Sequence, residues 1–177
     1  RTGGEGMDLA RYMGKFTDVD ADKTKHYLEP DSVELNIIDY LNRNFTNVIL
    51  VVNTNNVPEL GWVKNYANIG AVLWAPGGGG ETANSIVDVI SGKATASGHL
   101  VDTIAYDAFS SPAMKNMGDF QYSVGGKAVN AYGISYDEGI YVGYKYYETR
   151  YFDKVMGQGN AGDYDYAATV QYPFGYG

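Results

Sequence analysis

The stretch TNVILVVNT, residues 46–54, constrains this chain more than any other. A continuous β-branched run that ends in polar residues marks a strand buried on both faces, as in a parallel sheet. IGAVLWA, residues 69–75, repeats the pattern. Between them, PELGWVKNYANI reads as a short helix begun by Pro58, a residue suited to a first helical turn. Upstream, DSVELNIIDYLNRNF places Val33, Ile37, Tyr40 and Leu41 on one helical face, with Asp31 as its cap. Downstream, ETANSIVDVISG carries Ile86, Val89 and Ile90 inward before Gly92 closes the helix. The order αβαβα argues for right-handed crossovers and a layered sheet. The expected fold is therefore α/β: a three-layer α/β/α sandwich with a mostly parallel sheet of about six strands and helices on both faces.

At 177 residues and 45% hydrophobic, the chain has the length and apolar content of one cored domain. Residues 1–29 are polar and irregular, residues 30–105 hold the αβ core, and the composition changes from about residue 106. Twelve of the seventeen tyrosines lie between Tyr122 and Tyr176, among Gly, Asn and Asp. Tyrosine combines apolar area with a polar tip, so this tail is expected to form long ordered loops at an interface or a sugar site. The absence of cysteine excludes a disulfide framework, a thiolate zinc site and a cysteine nucleophile together. A net charge of −8 without a Lys/Arg cluster argues against nucleic acid as a partner. The apolar runs are too short to span a membrane, so no membrane contact is expected from this segment.

Three motifs suggest chemistry that their details refuse. PGGGGET follows a strand and precedes a helix, but Glu81 stands where a phosphate loop needs lysine. Thr82 and Ala83 occupy positions where a dinucleotide fingerprint would need its third glycine. In DVDADKTKHYLE, Asp18, Asp20, Asp22 and Glu29 fall at calcium-loop positions, yet Lys23 replaces the glycine of the sharp turn. His26 and His99 accompany no G-x-S-x-G elbow and no carboxylate pattern of a metal site, so each reads as a surface or packing histidine. No cofactor and no metal are expected.

The remaining chemistry belongs to carboxylates. Glu5, in RTGGEGMDL, is flanked by glycines, which remove bulk and permit backbone angles closed to other residues. A loop of this kind presents its side chain instead of packing it. GEGMD at the start, WAPGGGGETANSIVDVISGKATASGHLVDT in the middle, YDEGIYVGYKYY later and YPFGYG at the end occur here in one order. In these motifs the chain resembles the second, α/β-sandwich domain of glycoside hydrolase family 3, over nearly all of its 177 residues.

That resemblance implies an active site shared between two domains. A (β/α)8-type barrel would carry the aspartate nucleophile, and the sandwich domain would supply the acid/base glutamate from a loop. The family's E-G-x-D segment falls on Glu5, Gly6, Met7 and Asp8, which makes Glu5 the inferred general acid/base. Glu138, before a glycine in YDEGIYVGY, is the runner-up. Asp8 is read as orienting the Glu5 loop through backbone N–H groups, and Arg1 as pairing with a carboxylate of that loop. No nucleophile is expected in this chain. Where the family has N-P-S-G-R-L-P-x-T, Ala96 and Val101 replace the prolines and His99 the arginine, and Lys145 stands for a common arginine. The implied whole is a retaining, exo-acting β-glycosidase acting on a β-linked oligosaccharide or glycoside at the domain interface, with this domain inactive alone. The alternative is a non-catalytic carbohydrate-binding or domain-docking module.

Overall fold

The computed structural model describes residues 13, 22–117, 120–133 and 135–177. Helix α1 spans Ser32–Asn44 and starts as its sequence demands. The Asp31 carboxylate accepts from the Glu34 N–H at 2.8 Å, and the Glu34 carboxylate accepts from the Asp31 N–H at 2.9 Å. This reciprocal box satisfies two donors that a helix start otherwise leaves open. Strand β1, Val48–Val52, then pairs in parallel with β2, Ile69–Trp74. Helix α2, Thr82–Ile90, follows β2 and ends at Gly92, whose φ of +76° suits glycine.

The second half is more regular than the expected loops. Strand β3, Ile104–Ala105, pairs antiparallel with β6, Val170–Tyr172. A 3-10 turn, Ala108–Ser110, leads into the short helix α3, Pro112–Asn116. Strands β4, Phe120–Val124, and β5, Lys127–Gly133, form an antiparallel hairpin around Gly125 and Gly126, both at positive φ. Consecutive positive-φ glycines match the twist of a tight hairpin. Helix α4, Tyr144–Met156, and the single turn α5, Tyr166–Thr169, complete the order. No described helix is long and apolar enough to cross a membrane.

Four expectations need correction. Among the described residues there are three two-stranded sheets, and only β1–β2 is parallel, so the wide parallel sheet is not formed by these residues. The segment after Pro58 makes a 3-10 turn, Gly61–Asn65, instead of a helix begun by that proline. Of the α1 face expected to be inward, Val33, Ile37 and Tyr40 are exposed and only Leu41 is half-buried, together with Leu35 and Ile38 beside it. The helix is apolar on two sides, and a periodicity reading chose mostly the outer one. Ile49 on β1 and Ile90 on α2 are likewise exposed, although Ile86 and Val89 are half-buried.

The core therefore sits around the tail. Ala105, Tyr147 and Val170 cluster with Tyr146, Tyr164 and Tyr166 packed against them, and Ile104 is 2% exposed. Burying a side chain like Ile104 contributes about 1.5–3 kcal/mol. Some polar tips inside this layer find partners, whereas the Tyr164 hydroxyl and Arg150 Nε have no hydrogen-bond partner among the described residues. The Glu148 carboxylate accepts from Thr103 Oγ1 at 3.0 Å and from the Tyr166 hydroxyl at 2.7 Å. The Arg150 guanidinium lies over the rings of Tyr146 and Tyr164 and donates to the Ala161 carbonyl. At the start of α4, Asp102 Oδ1 accepts the Tyr144 N–H at 2.6 Å; a Cβ on Gly143, at φ +57°, would strike that same carboxylate.

Two joints hold this layer to the αβ unit. Gln171 Nε2 donates to the Leu60 carbonyl at 3.2 Å, and Gly61 lies so close to the Tyr106 carbonyl that a Cβ would collide with it. Asp31→Ala should lower unfolding free energy by about 1 kcal/mol with an unchanged denaturant slope, measured by urea titration. Burial raises the hydroxyl pKa of Tyr147, Tyr164, Tyr166 and Tyr172 above the ordinary value of 10.0. The folded chain then holds more protons than the unfolded chain above that pH, so this contribution is full below pH ~10 and is lost as pH rises further. Urea titrations between about pH 9 and 12, with phenolate absorbance in parallel, should show stability falling only on the alkaline side.

Candidate functional site

Glu5, Asp8 and Arg1 lie outside the described residues. Met13 is the described residue nearest to them in the sequence. Met13 is 5% exposed, and its N–H donates to the Lys25 carbonyl at 2.8 Å. Residues 22–31 then form a tight polar knot. The Asp22 carboxylate accepts from Ser32 Oγ at 2.6 Å and Thr24 Oγ1 at 2.8 Å, and these bonds hold its pKa below the usual aspartate value. Hydrogen bonds to an ionised carboxylate favour its charged form. Lys23 is the first inner residue of the turn closed by Lys25 N–H to the Asp22 carbonyl, and Asp18 and Asp20 lie outside the described residues.

At the centre of the knot is His26, 4% exposed, packed edge-on against Phe109 at 5.4 Å between centroids. The packing alternative for this histidine is therefore the correct one. The Leu28 N–H donates to its Nδ1 at 3.2 Å, so in the neutral ring the proton resides on Nε2. Nε2 lies 3.3 Å from Glu59 Oε2 and 3.8 Å from Glu29 Oε1. Glu59 is itself fixed: its Oε2 accepts the Ala108 N–H at 2.7 Å, and its own N–H donates to the Leu28 carbonyl at 2.9 Å. Glu29 Oε1 accepts the His26 N–H at 3.1 Å.

His26, Glu29 and Glu59 have the donor types and spacing of a three-ligand metal site. The protonation pattern does not fit one. A metal on Nε2 would need the ring proton on Nδ1, the nitrogen that the Leu28 N–H already occupies. The trio instead packs as a polar clamp, tied by the bonds from Leu28 N–H to Nδ1, from His26 N–H to Glu29 and from Ala108 N–H to Glu59. Removing one member would leave a buried polar partner unmet, at a cost of about 1–3 kcal/mol.

Glu138 occupies the turn before α4. Its carboxylate accepts from Asn116 Nδ2 at 2.7 Å, and its carbonyl accepts the Tyr141 N–H at 3.0 Å. Half-buried and tied to α3, it has the contacts of a structural carboxylate. One short unit thus serves both regions. Residues 108–116 present Ala108 and Phe109 to the knot and Asn116 to Glu138. His99, in contrast, is exposed, with Nδ1 3.0 Å from the Gly175 carbonyl.

A cleft of about 390 Å³ opens between the knot, α1 and the end of β1. Tyr27, Leu28 and Glu29 line one side, Ile37 and Leu41 another, and Leu50 through Thr54 run along the floor. It therefore lies at the carboxyl end of a parallel strand, where α/β folds commonly place ligands. Neither the cleft nor the His26 clamp was legible as a site in the sequence, since their members are separated by long stretches of chain.

Residues 2–144 match the glycosyl hydrolase family 3 C-terminal domain. Among curated relatives, the chain is 32% identical over 146 residues to beta-glucosidase A of Butyrivibrio fibrisolvens, covering 82% of this chain and 15% of that protein. It is 26% identical over all 177 residues to a beta-glucosidase of Ruminococcus albus, again 15% of that protein. Among solved structures, a beta-glucosidase from Paenibacillus barengoltzii superposes with a TM-score of 0.61 at 29% identity, covering 85% of this chain and 14% of that one. The chain thus spans about one seventh of the proteins it matches. With the family profile covering most of its length, this α/β chain belongs to the C-terminal domain family of glycosyl hydrolase family 3.

Proposed function

We propose that the chain is the part of a retaining, exo-acting β-glycosidase that delivers the general acid/base, Glu5, to an active site completed by a (β/α)8-type barrel. The observation that carries this reading is the extent of the family match: it begins at residue 2, and so takes in the whole Glu5-Gly6-Met7-Asp8 segment. A retaining glycosidase needs two carboxyl groups about 5–5.5 Å apart, one to attack the anomeric carbon and one to protonate the leaving oxygen. Glu5 takes the second role, first as acid and then as base towards water. The barrel holds the nucleophile and the terminal sugar, glucose or xylose in this reading. Asp8 and Arg1 steady the loop through its backbone and a carboxylate. This domain alone is inactive, because half of the reacting pair is on its partner.

Glu138 is the weaker candidate on its contacts, since its carboxylate is already engaged by Asn116. In the full-length enzyme, Glu5→Ala should lower kcat on a cellobiose-type substrate by about a hundredfold or more, in line with loss of general acid catalysis. Azide should restore turnover of an activated aryl glycoside and yield the glycosyl azide. Glu138→Ala should produce neither the selective loss nor the azide product. Full activity of Glu5→Ala on the poor leaving group would exclude it as the acid.

The isolated 177-residue chain should release no nitrophenol from an aryl β-glucoside, and adding the separately prepared barrel should restore release. Hydrolysis by the chain alone would overturn the shared-site reading.

A further inference from the structure

We infer that a cavity at the amino end of β2 is a non-catalytic binding site for a sugar ring of a β-linked oligosaccharide. The site itself is independent of the role given to Glu5; only the choice of a β-linked sugar rests on the glycosidase reading above. The cavity measures about 510 Å³, within the range of about 300–1,000 Å³ usual for small-molecule sites. Ile69, the first residue of β2, is part of its wall. It therefore lies at the opposite end of the parallel pair from the cleft beside the knot, whose floor runs from Leu50 to Thr54.

Three tyrosines line it, each from a different element: Tyr66 follows the 3-10 turn, Tyr106 follows β3, and Tyr172 ends β6. Each ring is held by a neighbour. Trp62 meets Tyr66 edge-on at 5.9 Å between centroids, Tyr176 lies tilted against Tyr172 at 5.1 Å, and the Lys64 ammonium is 5.4 Å from the Tyr106 centroid. The backbone is fixed as well. The Tyr66 N–H donates to the Val63 carbonyl at 2.9 Å, and the Tyr106 N–H to the Thr169 carbonyl at 3.0 Å. Aromatic rings held in this way lose little freedom when a ligand packs on them.

The polar groups of the wall are phenols, the Lys64 ammonium and the Gln171 carboxamide. Gln171 Nε2 is committed to the Leu60 carbonyl, which sets the orientation of the amide, and Oε1 has no partner among the described residues. A buried acceptor left without a donor is uncommon in a folded chain. No carboxylate and no histidine is among the described residues of the wall, so the pair of carboxyl groups that glycoside cleavage needs is missing there. Such a cavity holds a ligand without reacting with it. A pyranose matches it: its C–H faces pack on aromatic rings, and its rim of hydroxyls both donates and accepts. A phosphorylated ligand would call for a fork of cationic donors, whereas the one lysine here is already placed over a tyrosine ring.

Calorimetric titration of the 177-residue chain with cellotetraose tests the site where no barrel contributes. One saturable event with a Kd of about 1 mM or tighter is expected. Tyr106→Ala should weaken it by about tenfold or more, whereas Tyr106→Phe, which keeps the ring, should stay within about threefold. Ala67 is exposed on the cavity wall, so Ala67→Trp should block the cavity without removing any packing, and it decides the matter where Tyr106→Ala does not fold. Tyr136→Ala removes an exposed ring outside the cavity and should leave the affinity unchanged. No saturation up to about 20 mM sugar would overturn the site, as would binding that Tyr106→Ala and Ala67→Trp leave within about threefold or that Tyr136→Ala weakens equally. The same titration on the full-length enzyme, its active site occupied by a trapped 2-deoxy-2-fluoroglucosyl group, should give the same event. Failure of that trapping would count against the retaining mechanism alone, and the titration of the chain would still judge the site.

Discussion

A carboxylate drawn partly out of water must be met by donors from whatever surrounds it, and Glu59 is met from two separate stretches of chain. His26 approaches from the N-terminal knot and the Ala108 N–H from the turn after β3, while the Glu59 N–H donates back to the Leu28 carbonyl of the same knot. Satisfying that half-buried carboxylate brings them to a single place. The polar knot, the end of the αβ unit and the unit that carries α3 are consequently arranged around one side chain.

The tyrosine layer solves a different problem with similar means. Its aromatic rings supply area that aliphatic residues supply elsewhere, but every ring brings a hydroxyl that must be accommodated. Glu148 and Arg150, two residues apart on α4, meet part of this need: Glu148 accepts the Tyr166 hydroxyl, and Arg150 covers the rings of Tyr146 and Tyr164. Shielding from water then favours the neutral phenol, which is why the tyrosine shifts all have burial as their largest cause. The layer behaves as a core whose satisfaction depends on the charge state of its own members.

Local signals in the sequence were reliable where the chain itself decides the outcome. Asp31 and Glu34 form their box because the bonds lie within one turn, and the two β-branched runs pair because each is apolar throughout. The face of α1 was misread in part: Val33, Ile37 and Tyr40 satisfy the helical period but are exposed, while the inward side runs through Leu35, Ile38 and the correctly placed Leu41. Helix α4 was taken for loop since YKYYETRYFDKVM shows no clean alternation when tyrosine counts as both polar and apolar. The paired glycines at 125 and 126 were a hairpin signal that went unread amid the change in composition. As to the site, the Glu5 motif was legible as a motif, whereas the clamp was not. His26 and Glu59 are 33 positions apart, and neither carries a local mark of burial.

Gly61 has a consequence of a mechanical kind. Most contacts between parts of a protein pass through side chains, which can change rotamer and absorb a displacement. Where Gly61 meets the Tyr106 carbonyl, main chain rests on main chain, and nothing between them can rotate away. Gln171, fastened to Leu60 one residue earlier through its side chain, adds a softer tie from strand β6 to the residue next to Glu59. The backbone-on-backbone contact at Gly61 leaves the two segments no rotamer through which to slip past each other.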